Sequence, residues 1–142
     1  MKESYYREAV GEYIKRLSAE FRIDDVEIKN GKEEHSLEKE ADKILLKLQK
    51  LGGTYKIALD IAGTQLSSEK FAELLYGERA AGSKPVVFII GGSRGLAENV
   101  KQAADFRLSF SGMTFPHSLF KVMLLEQIYR AYMIENNRAY HK

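Results

Sequence analysis

Cysteine is absent from this 142-residue chain, as is tryptophan; proline occurs twice and histidine three times. Without cysteine there is no disulfide, no thiolate metal site and no thiol nucleophile, a usage compatible with the cytosol. No apolar run approaches the ~18 residues that cross a bilayer, and no signal-peptide pattern opens the chain. A cytoplasmic protein with no membrane partner is the expectation compatible with this. The three histidines are scattered, with neither an H-E-x-x-H motif nor a carboxylate cluster beside them, so no metal site is expected. No nucleophile-base-orienter set for hydrolysis is present either. A large charge of one sign is also lacking. The formal net charge of +2 leaves any nucleic-acid contact to a local basic patch or to a second subunit.

What is present is an ordinary globular composition. Apolar residues at 44% and charged residues at 30% exclude wholesale disorder, and the length suits one domain with its own core. Tyr6, Val10, Tyr13, Ile14 and Leu17 recur at helical spacing, with Arg7, Glu8, Lys15 and Arg16 on the other face. Val26-Glu27-Ile28 alternates and is read as a short strand. Ser36 is placed to cap a helix carrying Leu37, Ala41, Ile44, Leu45 and Leu48, which Gly52-Gly53 stops.

Beyond Gly53 strands and helices alternate. Tyr55 to Ile61 reads as a strand, with Ala62-Gly63-Thr64 leaving it as a loop. Ser67 or Ser68 caps a helix whose inner face is Phe71, Leu74 and Leu75. Val86 to Ile90 is an unbroken apolar run of the kind buried on both faces, and a helix follows from Leu96 to Ala104. Phe106 to Phe110 is a further strand. Pro116 opens the longest helix, to about Ile134, apolar over most of its circumference. The pattern predicts an α/β domain with a largely parallel sheet and helices on both faces.

Ligands in such sheets sit beyond the carboxyl ends of the strands. Three loops leave those ends: Asp60 to Thr64, Gly91 to Gly95 and Ser111 to Phe115. Gly91-Gly92-Ser93-Arg94-Gly95 matches neither G-x-G-x-x-G nor the P-loop. It reads either as a tight turn needing positive φ or as backbone amides offered to a nucleotide. Ser111 to Pro116 reads as plain helix entry, with Thr114 or Phe115 as cap or staple, or as a loop that reads an adenine through its main chain. Phe110, Met113 and Phe115 would then be its apolar walls. Glu126 and Arg130 stand four apart and can pair on the long helix. His117 reads as structural and His35 as solvated. Tyr140-His141-Lys142 closes a tail that either frays or folds back.

Several blocks resemble one family. Ala58-Leu59-Asp60-Ile61-x-Gly63, Phe88-Ile89-Ile90-Gly91-Gly92-Ser93-x-Gly95-Leu96, and Leu108-Ser109-Phe110-Ser111-x-Met113-Thr114-Phe115-Pro116-His117 resemble the RlmH family of ribosomal RNA methyltransferases. So do Leu125-Glu126-Gln127-x-Tyr129-Arg130-Ala131 and the closing Ala139-Tyr140-His141-Lys142. The family belongs to the SPOUT superfamily, so the resemblance implies a C-terminal trefoil knot, a homodimer and S-adenosyl-L-methionine (SAM) as cofactor. It also implies methylation of N3 of a pseudouridine in helix 69 of 23S rRNA on the assembled ribosome. By position, Leu59, Gly91, Phe110, Ser111, Gly112, Met113, Thr114 and Phe115 match the family's SAM-contacting residues.

For the chemistry, a neutral His141 can serve as general base if the tail folds over the pocket, Arg130 can instead stabilise the developing base anion or hold a phosphate, and Tyr140 can stack on the base. Lys2, Arg7, Lys15, Arg16, Arg94 and Arg138 are candidate RNA-facing cations. Other readings stay open: a SPOUT methyltransferase with another RNA target, or a catalytically idle RNA-binding dimer. Family members open with a short apolar strand and a Gly-Lys-Leu-Lys-Glu-like turn, and Met1-Lys2-Glu3-Ser4-Tyr5-Tyr6 begins at the end of that turn. The expectation is a single shortened domain, residues 1–142, with a destabilised or rearranged N-terminal half and an intact unit from Gly91 to Lys142.

Overall fold

The computed structural model describes residues 3–28, 37–77, 84–92 and 95–141. They form α1 (Ser4–Leu17), α2 (Leu37–Lys50), β1 (Tyr55–Gln65), α3 (Ser68–Tyr76), β2 (Val86–Ile89), α4 (Glu98–Ala103), β3 (Phe106–Ser109) and α5 (His117–Glu135). The fold is α/β, and among the described residues the strands are all parallel, in the order β2-β1-β3. The chain divides into two compact units interleaved in sequence, one holding α1, α3 and α5, the other α2, α4 and the sheet.

In the sheet unit, Ala41, Ile44 and Leu48 of α2 and Val100 of α4 bury themselves against Ala58 and Ile89 of the central and flanking strands, with Leu96 between. These are the stripe positions that the spacing of α2 selects. Val100 and Ile57 are fully buried, each worth about 1.5–3 kcal/mol against exposure. Gly53, at φ +79°, ends the connection from α2 in a conformation that costs glycine little. Ser36, the expected cap of α2, lies outside the described residues.

β1 is longer than its apolar stretch. Leu59 pairs with Leu108 of β3, yet so does Thr64, so the residues between them bulge out before the pairing resumes. Asp60 shapes this bulge: its carboxylate accepts the Ala62 N–H at 3.1 Å and lies 3.5 Å from the Lys101 Nζ. Gly63 presses on β3 so closely that a Cβ there would stand 2.7 Å from the Arg107 carbonyl oxygen. The expected loop from Ala62 is thus a bulge inside a strand, because β3 offers partners on both sides of it.

Two other stretches depart from their sequence pattern. Val26–Ile28 is not a strand: the stretch is short, Val26 is exposed, and only Ile28 packs against the α2 cluster. Among the described residues β2 lies at a sheet edge, so Val86, Val87 and Phe88 are only half buried and Ile89 alone is fully covered. An apolar run reports the wish to be buried, and does not report how many neighbours a strand finds.

In the helical unit, Val10 and Leu17 of α1 bury against Leu125 of α5, with Tyr13, Ile14, Val122, Ile128 and Tyr129 around them. The chain leaving α1 continues along α5, where Phe21 meets Tyr132 edge-on at 5.7 Å and Lys121 bonds Asp25 at 2.6 Å. Ser67 caps α3 by accepting the Lys70 N–H at 3.1 Å. Pro116 is the N-cap of α5 and not its first residue; its carbonyl accepts the Phe120 N–H. Phe115 packs on Phe120 at 6.2 Å, which makes it the staple at this helix entry. Most of α5 is half buried, with Leu124, Leu125 and Ala131 fully so.

Candidate functional site

Because the strands are parallel, the bulge after Leu59, the turn after β2 and the loop after β3 leave the same end of the sheet. The turn after β2 closes between Gly92 and Gly95, whose N–H bonds the Gly92 carbonyl at 3.0 Å. Gly95 has φ +73°, so the positive-φ reading of this turn holds. Gly91 is pinned for a different reason: a Cβ there would lie 2.5 Å from the Gly95 carbonyl oxygen. Ser93 and Arg94 lie outside the described residues.

In the loop after β3, the Ser111 hydroxyl accepts the Met113 N–H at 3.0 Å, and the Ser109 hydroxyl donates to the Ser111 carbonyl. Met113 is 72% exposed, an apolar side chain held out by a short ordered loop. Phe110 is half buried and Gly112 faces open space. Leu59 is buried within the central strand and paired with Leu108, so its side chain belongs to the core. The ring of Phe115 is occupied by the staple, and Thr114 is exposed.

The second group of candidates lies in the helical unit and is held by the tail. Beyond α5 the chain reverses at Asn137, the one non-glycine residue with positive φ among those described, and the Arg138 N–H bonds the Met133 carbonyl at 2.8 Å. The tail therefore folds back. Tyr140 reaches the Glu126 carboxylate with its hydroxyl at 2.8 Å, and its ring meets Tyr129 edge-on at 4.9 Å.

Glu126 binds Arg130 at two points, Nε to Oε1 at 3.2 Å and one terminal nitrogen to Oε2 at 3.0 Å. It also accepts from the Gln127 amide at 3.1 Å. A half-buried carboxylate with this many donors is well compensated. The other terminal nitrogen of Arg130 lies 3.1 Å from His141 Nδ1, and the guanidinium sits 4.9 Å from the centre of the Tyr140 ring. His141 Nε2 contacts the Glu69 carboxylate on α3. Next to Glu69, the Ser68 hydroxyl donates to the Gln127 amide oxygen at 2.7 Å.

The chain Ser68–Gln127–Glu126–Arg130–His141–Glu69 thus closes on itself through one peptide bond. Burial, and then the bond to Glu126, push the Tyr140 phenol up to about 12. The bond to Glu126 also raises Arg130, so the tyrosine stays a neutral donor and the arginine a cation.

His141, Arg130 and Tyr140, predicted as a group, are therefore brought together here. Glu69, Ser68 and Gln127 were missed. The only sequence signal of Ser68 and Glu69 is a serine and an acid in the first turn of a capped helix, which ordinary helix starts share, while Gln127 stands in one of the blocks that carry the resemblance. Of the candidate cations, Arg7, Lys15, Arg16 and Arg138 are exposed. Arg16 bonds Glu12 at 3.1 Å and lies near the rings of Tyr13 and Tyr129, while Arg138 lies over Tyr132. Lys2 and Arg94 lie outside the described residues, as does His35. His117 is exposed at the first residue of α5. Among the described residues no group of three acidic or histidine side chains is arranged to hold a metal ion, and no helix is long and apolar enough to cross a membrane.

The family model described as predicted SPOUT methyltransferase matches residues 1–141. The chain belongs to the SPOUT methyltransferase family. Among its curated relatives is a ribosomal RNA large subunit methyltransferase H of Caldicellulosiruptor saccharolyticus, 47% identical over all of this chain and 94% of the relative. Proteins of the same name from Clostridium perfringens and an Exiguobacterium species are each 42% identical, again over all of this chain and 94% of theirs.

Proposed function

We propose that this chain is a SAM-dependent methyltransferase acting on N3 of a pseudouridine in helix 69 of 23S rRNA, on the assembled ribosome, as a cytoplasmic homodimer with the knotted C-terminal topology of its family. The observation that carries the reading is the full-length likeness to proteins named for large-subunit ribosomal RNA methylation. The half-buried circumference of α5 is in keeping with a helix that a second subunit covers.

The loops at the sheet's carboxyl end fit the cofactor. An adenosyl group asks for main-chain donors and acceptors between apolar walls. Gly91 stands in the tight turn after β2, Ser111 orders the loop around Gly112, and Met113 offers exposed apolar area. Leu59, Thr114 and Phe115 would contribute through their main chains, and Phe110 through its ring. When bound, SAM supplies a methyl group on a sulfonium, so the protein's work is mostly positioning.

The remaining steps belong to the tail cluster. The N3–H of the base must lose its proton for nitrogen to attack. It displaces the Arg130 N–H from His141 Nδ1, and that lone pair takes the proton. The freed Arg130 N–H turns to the adjacent ring carbonyl, where negative charge develops. Tyr140, pinned through its hydroxyl, serves as the stacking ring. Because Glu126 neutralises Arg130, the arginine acts as a directed donor more than as a free charge for phosphate. Arg7, Lys15, Arg16 and Arg138 supply cations toward RNA. Transfer of labelled methyl from SAM to intact ribosomes, compared with free 23S rRNA, tests the reading: transfer is expected to ribosomes, and absence of transfer to either contradicts it.

A further inference from the structure

We propose that Glu69 is the positioning residue for His141, holding the imidazole so that Nδ1 presents its lone pair and stabilising the charge that proton uptake creates. The inference rests on the function proposed above for its catalytic consequence, though not for its geometry. An arginine N–H can only donate, so His141 Nδ1, 3.1 Å from it, accepts and carries no proton. In the neutral ring the proton is then on Nε2, which faces the Glu69 carboxylate, a group that only accepts when ionised. Both contacts select the same tautomer.

Glu69 is itself held. It is the second residue of α3, in the first turn, at the positive end of the helix dipole. The neighbouring Ser68 ties this turn to α5 through Gln127, and Gln127 bonds the Glu126 that grips Arg130. The same turn of α3 thus fixes both ends of the path to His141. A proton gained at Nδ1 makes the ring an imidazolium, and Glu69 then faces a full positive charge through the Nε2–H. Glu69 contacts neither substrate nor cofactor in this scheme and acts only through His141.

The test compares Glu69→Ala, Glu69→Gln and the unaltered protein by NMR of nitrogen-15-labelled histidine and by single-turnover methylation of ribosomes. The unaltered protein is expected to give a protonated Nε2 and an unprotonated Nδ1 for His141, with the Nε2 proton far downfield. Glu69→Ala loses that proton signal to solvent exchange and loses about ten- to a hundredfold in rate, with SAM affinity unchanged. Glu69→Gln keeps an acceptor, so it retains the signal while losing most of the same rate. An unchanged His141 spectrum and an unchanged rate in Glu69→Ala overturn the proposal. A changed spectrum in Glu69→Ala, beside full activity of His141→Ala, supports the positioning contact and removes the histidine from the reaction.

Discussion

Arg130 places one terminal nitrogen 3.1 Å from His141 Nδ1, and since a guanidinium has no lone pair to offer, the nitrogen it faces must be the bare one. In the proposed reaction this contact both marks and guards the basic atom until a substrate proton displaces the arginine. His141→Ala is expected to lower single-turnover methylation of ribosomes by about 10²–10⁴-fold, the usual span for a general base. SAM binding, measured by calorimetry, should stay unchanged. Full methylation by the variant would remove His141 from the mechanism.

Glu126 is the residue on which the tail closes. It accepts from Arg130 twice, from Tyr140 and from Gln127, and its side chain is only 20% exposed. Glu126→Ala leaves Arg130 uncompensated and Tyr140 without its acceptor. The expected cost is about 1–3 kcal/mol, read as a lower urea midpoint, together with faster amide exchange at Arg138 to His141. Unchanged exchange in the tail would mean that the cluster does not hold it.

The Tyr140 phenol gives the cluster a pH signature. Its ordinary value near 10 is pushed up to about 12, by burial and then by Glu126, so folding favours the protonated form. The corresponding stabilisation is complete below pH 10 and is lost as the pH rises through 12. Tail docking should therefore loosen across that window. In an alkaline absorbance titration, Tyr140→Phe should lack one late-ionising phenol. Loss of a phenol that titrates at the ordinary value would mean that burial and Glu126 do not hold the Tyr140 hydroxyl.

Gly91 and Gly112 separate packing from ligand contact. A Cβ at position 91 would meet a backbone carbonyl at 2.5 Å and the Leu96 side chain at 3.1 Å, whereas at 112 it would meet nothing within 4 Å. Gly91→Ala should lower stability by about 1–3 kcal/mol and weaken SAM binding. Gly112→Ala should melt like the unaltered protein, so any change in its SAM affinity reports the loop itself. Equal melting of the two variants would show that the turn after β2 yields.

Much of this was legible from local chemistry. The stripe Ala41, Ile44, Leu48 marks α2, Ser67 marks the start of α3, and the serine and glycine pattern after β3 marks a loop. What local pattern leaves out is pairing at a distance. The bulge between Leu59 and Thr64 exists because β3 resumes contact beyond it, and Val26–Ile28 stays out of a ladder although its residues alternate. In the site, Glu126 and Arg130 announce themselves by spacing and the tail by its composition. Glu69 does not, because 72 positions separate it from His141 and only the packing of α3 and the tail on α5 joins them.

The proposed reaction places one methyl group on N3 of one pseudouridine in helix 69. The direct measurement is to incubate ribosomes lacking that methyl group with the protein and labelled SAM, then digest the 23S rRNA and map the label by mass spectrometry. A single labelled fragment is expected, from helix 69, with the methyl group on N3 of a pseudouridine. Label at another base, or none with SAM demonstrably bound, would contradict that reaction.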